Sequence, residues 1–598
     1  MFQDFSAPPG IVPGGERLAA LRAEMARQGL DGFLIPRADA HQGEYVPPAD
    51  ARLAYVTGFT GSAGIAVVLA ERAALFVDGR YTLQAERQTD PASWTLQALH
   101  ETPVGEWLDG AAPAGARIGF DPWLHGKAEI DALERRGLTA VAVETNPVDA
   151  IWADRPAPPA APICPYPDEL AGESAAQKRA RIGRAVAEAG AGAAALTLPD
   201  SIAWLLNLRG GDIPRNPVPL AFAILHASGK AMLFLRPGQD ADPALRAHLG
   251  PDVAIAGRDE FLSALRNIEG GALLDRRSSP LAVARALESA KVRIIWGEDP
   301  CVMPKAIKNA AERAGARAAH FRDGVAMARF LAWLDREAPS GALTEIAIAK
   351  RLEAERRATN ALMDISFDTI AGAGPNGAIV HYRVTEATDR KLSPGELMLV
   401  DSGGQYLDGT TDITRTIAVG PPPEGAVRAF TLVLKGMIAV SRARFPLRTT
   451  GRDLDTMARA ALWRAGFDYD HGTGHGIGAY LCVHEGPQSL SRRGAVALRP
   501  GMMVSNEPGY YRTGAFGIRI ENLLLIEEAS IPEGGDRAMM SFETLTLAPI
   551  DRRLVDPALL DAEERAWLDA YHARVRDTLK PALDARDGAW LEAATAPL

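Results

Sequence analysis

The stretch Glu396–Ile417, "ELMLVDSGGQYLDGTTDITRTI", decides how the C-terminal half of the chain is read. Its apolar run Leu397–Val400 predicts a strand ending on Asp401, and the β-branched run "TTDITRTI" predicts a second extended segment that carries Asp412. The glycines between them predict a hairpin-like return that brings both carboxylates to one side of a sheet. An Asp beside Ser-Gly-Gly is ordinarily a turn former. Asp412 resists that explanation: Asp is depleted from β-branched strands, so it either faces solvent or is used.

Two further stretches add to this pair. "DYDHGTGHGIGAYLCVHEGP", residues 468–487, gathers His471, His475 and His484 in a chain with 11 histidines. Its glycines let the backbone pass close to other atoms and leave the imidazoles uncrowded. No Gly-Lys-Ser/Thr follows, so it is not a phosphate-cradling loop, and no His-Glu-x-x-His zinc helix is present. "MVSNEPGYYRTGAFGIRIENLLLIEE", residues 503–528, supplies Glu507 before a Pro-Gly turn and Glu521 within a strand-like run. Period two puts Arg519 and Glu521 on one face of that strand, where a solvated ion pair is the ordinary explanation.

Taken together, two Asp, two Glu and one of the histidines make a five-ligand set. Four carboxylates held close together would repel and partly protonate. Two divalent cations balance their charge, which favours a two-metal over a one-metal site. The oxygen-rich, thiolate-free set suits hard ions, Mn²⁺ before zinc. Two metals about 3.5–4 Å apart can activate water and polarise a carbonyl, so amide hydrolysis is the leading chemistry.

Upstream, two segments have a similar order of elements. The first, through "RLAALRAEMARQGLDGFLIP" and "YVTGFTGSAGIAVVLAERAALFVDGRY", predicts a helix, a strand, a glycine-rich turn and a pair of strands. The second predicts a helix, the strand "AAALTLP", the helix "SIAWLLNLRGG" and the strands "AFAILHA" and "KAMLFLRP". A duplicated α/β domain is expected. The proline-crowded run 154–170 reads as a linker, and a second boundary falls near residue 307. The expected domains are 1–157, 158–307 and 308–598, the last α+β with a substantial antiparallel sheet.

Composition bounds the function. The chain has 598 residues, with 65 basic against 75 acidic, a formal charge of −10 that argues against a nucleic-acid binder. The start "MFQDFSAPPGIVPGG" does not read as a secretory signal, and no apolar run is long enough to predict a membrane span. Cytoplasmic location is therefore expected. Cys164, Cys301 and Cys482 form neither a disulfide framework nor a thiolate metal site.

The motifs "GPNGAIVHYR", "VDSGGQYLDGTTDITRT", "DYDHGTGHGIGAYLCVHEGP", "NEPGYY" and "FGIRIEN" resemble the pita-bread metallopeptidases of family M24, above all their long, three-domain Xaa-Pro aminopeptidase branch. The resemblance reaches "TGFTGSAG" and "DGRYTLQAE" in the first segment and "WLLNLRGGDIPRNPV" in the second, so it covers most of the chain. It implies two creatinase-like α/β domains followed by a pita-bread catalytic domain. It places the metal ligands on Asp401, Asp412, His475, Glu507 and Glu521, with Asp412 and Glu521 shared between two ions.

The resemblance also assigns substrate contacts. His484 would hydrogen-bond the substrate or the tetrahedral intermediate, and His381 and His471 would line the pocket for proline. Arg519 and Tyr511 would orient a ligand carboxylate. Glu507 would handle the proton of the attacking water, and His484 would help stabilise the oxyanion. The substrates implied are peptides with N-terminal Xaa-Pro, whose imide nitrogen has no N–H to offer. Prolidase, with the same ligand set, is the rival, although the duplicated domains argue against it. A non-catalytic peptide- or histone-binding scaffold would be marked by lost ligands, and all five are present. Asn506 stands where close relatives have Asp, a departure that removes no ligand. The C-terminal run "LVDPALLDAEERAWLDAYHARVRDTLKPAL" reads as helical and resembles an extension through which subunits pair as a homodimer; simple cover for the catalytic domain is the alternative.

Overall fold

A computed structural model describes residues 1–6 and 14–598. Residues 7–13, part of the N-terminal run read above for a secretory signal, lie outside the described residues. The chain divides into two compact units, one holding the extreme N-terminus and Ala306–Leu598, the other the chain up to Lys305.

The N-terminal unit contains two six-stranded sheets with one topology. In the first, the spatial order is Thr95–Ala98, Ala73–Val77, Ile65–Leu69, Gly32–Pro36, Arg117–Phe120, Thr139–Ala142. In the second it is Val253–Gly257, Ala231–Leu235, Phe222–His226, Ala193–Leu196, Ala272–Asp275, Ile294–Gly297. In both, the strand that comes first in the chain pairs antiparallel with the second and parallel with the fifth. The central strands are apolar along their whole length, as strands covered on both faces must be: all five residues of Ile65–Leu69 and of Ala73–Val77 are buried.

Two local readings change. The helix expected over "SIAWLLNLRGG" is Pro199–Leu206, because Asn207 turns left-handed (φ 48°) and the following Leu208–Arg209 is a short strand. A short helix, Arg52–Thr57, precedes the glycine-rich turn of the first repeat and matches Pro199–Leu206 of the second.

The C-terminal unit is built on antiparallel sheets. The two that carry most of the site have the orders Ile370–Ala373, Glu396–Ser402, Ile413–Val419 and Glu485–Leu490, Gly474–Gly476, Met503–Asn506, Asn522–Ile526, Phe542–Thr544. The helices Ala426–Ser441 and Gly451–Arg464 pack on each other, and Phe430, Leu434 and Met437 of the first join Phe516, Ile518 and Ile520 in one apolar core. The helix Ala310–Glu337 begins at Asn309, whose side chain accepts the Ala311 and Glu312 N–H groups. Leu568, Val575, Leu579 and Leu591 of the C-terminal helices Ala562–Leu579 and Ala585–Ala594 enter the same core, so these helices do cover the antiparallel sheets. Residues 1–6 also pack on this unit, with the Phe2 N–H donating to Glu353 and the Gln3 amide to the Thr369 carbonyl. Among the described residues no helix is long and apolar enough to cross a membrane.

Candidate metal centre

Strand register explains how distant carboxylates meet. Glu396–Ser402 runs antiparallel to Ile413–Val419 with Asp401 opposite Thr414, which puts Asp401 beside Asp412 at the start of the second strand. Glu521 lies between the strands Phe516–Arg519 and Asn522–Ile526, and its N–H donates to the Thr414 carbonyl at 3.1 Å. The run read as one strand is therefore two that pair in different sheets, and Glu521 sits at the joint where they part. Glu507 follows Met503–Asn506, tied through its N–H to the Thr473 carbonyl at 2.8 Å.

His475 occupies the middle of Gly474–Gly476, threaded between two neighbouring strands. A Cβ on Gly474 would stand 1.9 Å from the Ser505 carbonyl oxygen, and one on Gly476 2.2 Å from that of Glu485. Only glycine fits on either side of this imidazole, which accounts for the Gly-His-Gly sequence.

Potential ligand atoms gather in three overlapping groups: Asp401, Asp412 and Glu521; His475, Glu507 and Glu521; and Asp412, His475 and His484, each within 4.8 Å. The His475 Nε2 lies 3.5 Å from Asp412 and 3.4 Å from Glu507. Its Nδ1 meets the Gly476 carbonyl at 3.0 Å and so carries a proton, and once the ring is neutral the Nε2 lone pair faces the carboxylates. The His484 ring meets the His475 ring edge-on, with centroids 4.2 Å apart.

The carboxylates are incompletely satisfied by protein. Asp401 accepts from Arg519 at 2.6 Å, Glu521 from the Thr414 hydroxyl at 2.8 Å and Glu507 from the Ser505 hydroxyl at 3.0 Å. One oxygen each of Asp401, Asp412 and Glu521 is buried without a partner. Burial pushes Asp401, Glu507 and Glu521 above the usual carboxylate range, and the charge of Asp412 adds to the rise. Burial lowers His475, but Asp412 and Glu507 outweigh it and carry the imidazole up to about 9. Buried carboxylates with unused oxygens around a correctly turned imidazole are what a pair of divalent cations requires, and the donor set fits them.

A hydrogen-bonded chain leads away from the cluster. The Arg519 guanidinium holds Asp401 and also donates to the Tyr511 hydroxyl at 2.6 Å. His471 Nδ1 meets the Gly472 carbonyl, so its Nε2 accepts the Tyr511 proton across 2.8 Å. Arg519 and Glu521 are each 1% exposed, so a solvated ion pair is excluded. His471 and His381 fall outside the three ligand groups. His381 is half-buried, just after the turn Gly374–Ala378, which lies so close to the strand of Arg519 that a Cβ on Gly517 would meet the Gly377 oxygen at 1.7 Å. Asn506 points away from the cluster, donating to the Met437 carbonyl and the Ser441 hydroxyl of the neighbouring helix.

Three supporting residues went unread. Thr414 lies two positions after Asp412 on the same strand face, and period two could have found it. Ser505 accepts the His475 N–H and donates to Glu507. Arg415 is buried on the opposite face, where it donates to the Glu521 and Ala548 carbonyls and to Tyr571. An arginine in a strand ordinarily reads as solvated, so no sequence signal marked it.

Comparison with known proteins agrees with this architecture. Residues 314–528 match metallopeptidase family M24, 538–598 its C-terminal region, and 17–151 and 154–312 each match the creatinase/prolidase N-terminal domain. The chain belongs to metallopeptidase family M24. A probable Xaa-Pro aminopeptidase P of Neosartorya fischeri is 40% identical over 99% of this chain and 94% of its own length, and one of Coccidioides posadasii is 40% identical over 99% and 95%. The X-prolyl aminopeptidase of Caenorhabditis elegans, described as a cytosolic enzyme with a di-nuclear active site, superposes with a TM-score of 0.93 at 33% identity, covering 98% of this chain and all of that one.

Proposed function

We propose that this metalloaminopeptidase releases the N-terminal residue from peptides with proline in second position, at a centre that takes two divalent metal ions. The observation that carries the reading is the set of unpartnered, buried oxygens on Asp401, Asp412 and Glu521, beside His475 and Glu507, in a chain with end-to-end similarity to Xaa-Pro aminopeptidases. Asp401, Asp412, His475, Glu507 and Glu521 are the ligands; Asp412, His475 and Glu521 each belong to two of the three groups, and of these the carboxylates Asp412 and Glu521 have two oxygens to share between ions. The ions are Mn²⁺, which the hard oxygen set favours.

When bound, the two cations keep the carboxylates ionised, activate water and polarise the carbonyl before proline. The residues do the rest. Glu507, oriented by Ser505, accepts the proton of the attacking water and passes it to the leaving nitrogen. His484, packed edge-on against His475, donates to the developing oxyanion. Arg519 and Tyr511 hold Asp401 and His471 in fixed orientation, and His471 and His381 flank the proline ring. Domains 1–157 and 158–307 precede a catalytic domain at 308–598, and the enzyme is a cytoplasmic homodimer.

Matched Xaa-Pro-Yaa and Xaa-Pro peptides, incubated with Mn²⁺ or a chelator, test the proposal. Metal-dependent release of the first residue from the tripeptide is expected; cleavage of the dipeptide alone would make the enzyme a prolidase.

A further inference from the structure

The helix Ala310–Glu337 presents His320, which is 3% exposed and lines the same small space as Asp412. Its Nδ1 meets the carbonyl of Ala316, one turn earlier, at 2.7 Å and must carry the proton. Nε2 is then an acceptor, and it is buried without a partner. Leaving such an atom unsatisfied opposes folding.

The small space, of about 10 Å³, is lined by buried residues that include His320, Asp323, Met327, Thr411, Asp412 and Thr546. That is about the size that accepts one water molecule, provided that two to four polar groups face it. Asp323 is already engaged, accepting from Arg356 at 2.7 Å and from the Tyr406 hydroxyl at 2.8 Å. Asp412 has an unpartnered oxygen. Thr411 and Thr546 each accept a backbone N–H, from Gly404 and Leu523, which leaves their own hydroxyl protons to donate.

We infer that His320 is a positioning residue for Asp412, acting through one buried water that donates to His320 Nε2 and to the Asp412 carboxylate and accepts from a threonine hydroxyl. The arrangement satisfies the imidazole and restrains the rotation of a carboxylate that two cations would share. It extends the second layer of hydrogen bonds around the centre to a helix that carries no ligand. The inference rests on the assignment of Asp412 as a metal ligand.

The first test uses the wild-type enzyme loaded with Mn²⁺: a crystal structure that orders buried waters should show one in this space, within hydrogen-bond distance of both His320 and Asp412. An empty space, or a water that reaches neither, would overturn the inference. The second test measures Mn²⁺ affinity by calorimetry on metal-free proteins of matched melting temperature. His320→Phe should weaken binding by about 10- to 100-fold with little change in KM, and His320→Gln, which keeps an acceptor in reach, should restore much of the loss. Wild-type affinity in His320→Phe would contradict the role. Failure of Asp412→Asn to lose metal would instead overturn the ligand assignment, so the two ideas fail separately.

Discussion

Two buried acidic groupings of the catalytic unit, a few residues apart in sequence at Asp412 and Tyr406, are built on opposite terms. Asp323 spends its oxygens on protein: the Arg356 guanidinium grips both and the Tyr406 hydroxyl caps one. As a result its affinity for protons is lowered despite complete burial. In the other grouping, of Asp401, Asp412, Glu507 and Glu521, the Arg519 guanidinium donates to Asp401, and Glu521 is held well above the usual carboxylate range by burial and its acidic neighbours. The first grouping is a structural ion pair, with both Asp323 oxygens taken. The second is left short of positive charge, and that shortfall is what makes it a place for cations.

The largest effect should come from removing a charge from the second grouping. Glu521→Gln should bind fewer than two metals per chain and lose more turnover than the roughly 10²-fold expected of His484→Ala, which in the proposed role would remove an oxyanion contact and should keep its metal. Full metal occupancy in the first variant, or a near-normal kcat in the second, would erase the distinction between ligand and substrate residues. In the first grouping the loss should be of stability instead. Arg356→Met leaves the Asp323 charge buried and should cost about 3–5 kcal/mol in denaturant unfolding while metal stoichiometry stays at two. The same unfolding experiment on metal-free Glu521→Gln sharpens the contrast: because the amide relieves repulsion, this variant should be at least as stable as the metal-free parent.

A smaller effect is expected at His572, on the far side of Arg415. Its Nε2 accepts the Ile550 N–H at 3.1 Å, and burial together with the nearby Arg415 and Arg552 pushes its pKa down to about 3. Between about 6.5 and 3 the unfolded chain binds a proton that the native chain does not, so stability falls as pH drops through that window. The contribution is at most about 1.4 kcal/mol per pH unit. Unfolding curves of His572→Gln should be flatter with pH over the same range, and an unchanged slope would remove His572 from the account.

The sequence revealed these regions unequally, for physical reasons. Asp401 and Asp412 were legible because apolar and β-branched runs frame acidic residues that such strands exclude. The Gly-His-Gly motif was legible because close strand packing leaves no space for a Cβ. The joint at Glu521 was hidden, since "GIRIENLLLIEE" alternates without a break and only tertiary pairing sends its halves to different sheets. The repeated sheets were visible through their first three strands; later strands such as Thr95–Ala98 and Thr139–Ala142, four residues each and only partly buried, lack the long apolar runs that mark the centre. Arg356 and Arg415 could not be read as buried, because nothing local distinguishes a guanidinium that meets internal carbonyls and carboxylates from one that faces water.

The most direct test of the central claim is calorimetric titration of the metal-free enzyme with Mn²⁺, followed at each point by the rate of first-residue release from an Xaa-Pro-Yaa peptide. Two ions should bind per chain, with activity rising as the sites fill and lost again on chelation. Binding of a single ion, or cleavage unaffected by metal removal, would contradict a centre whose four carboxylates are kept short of charge for two cations.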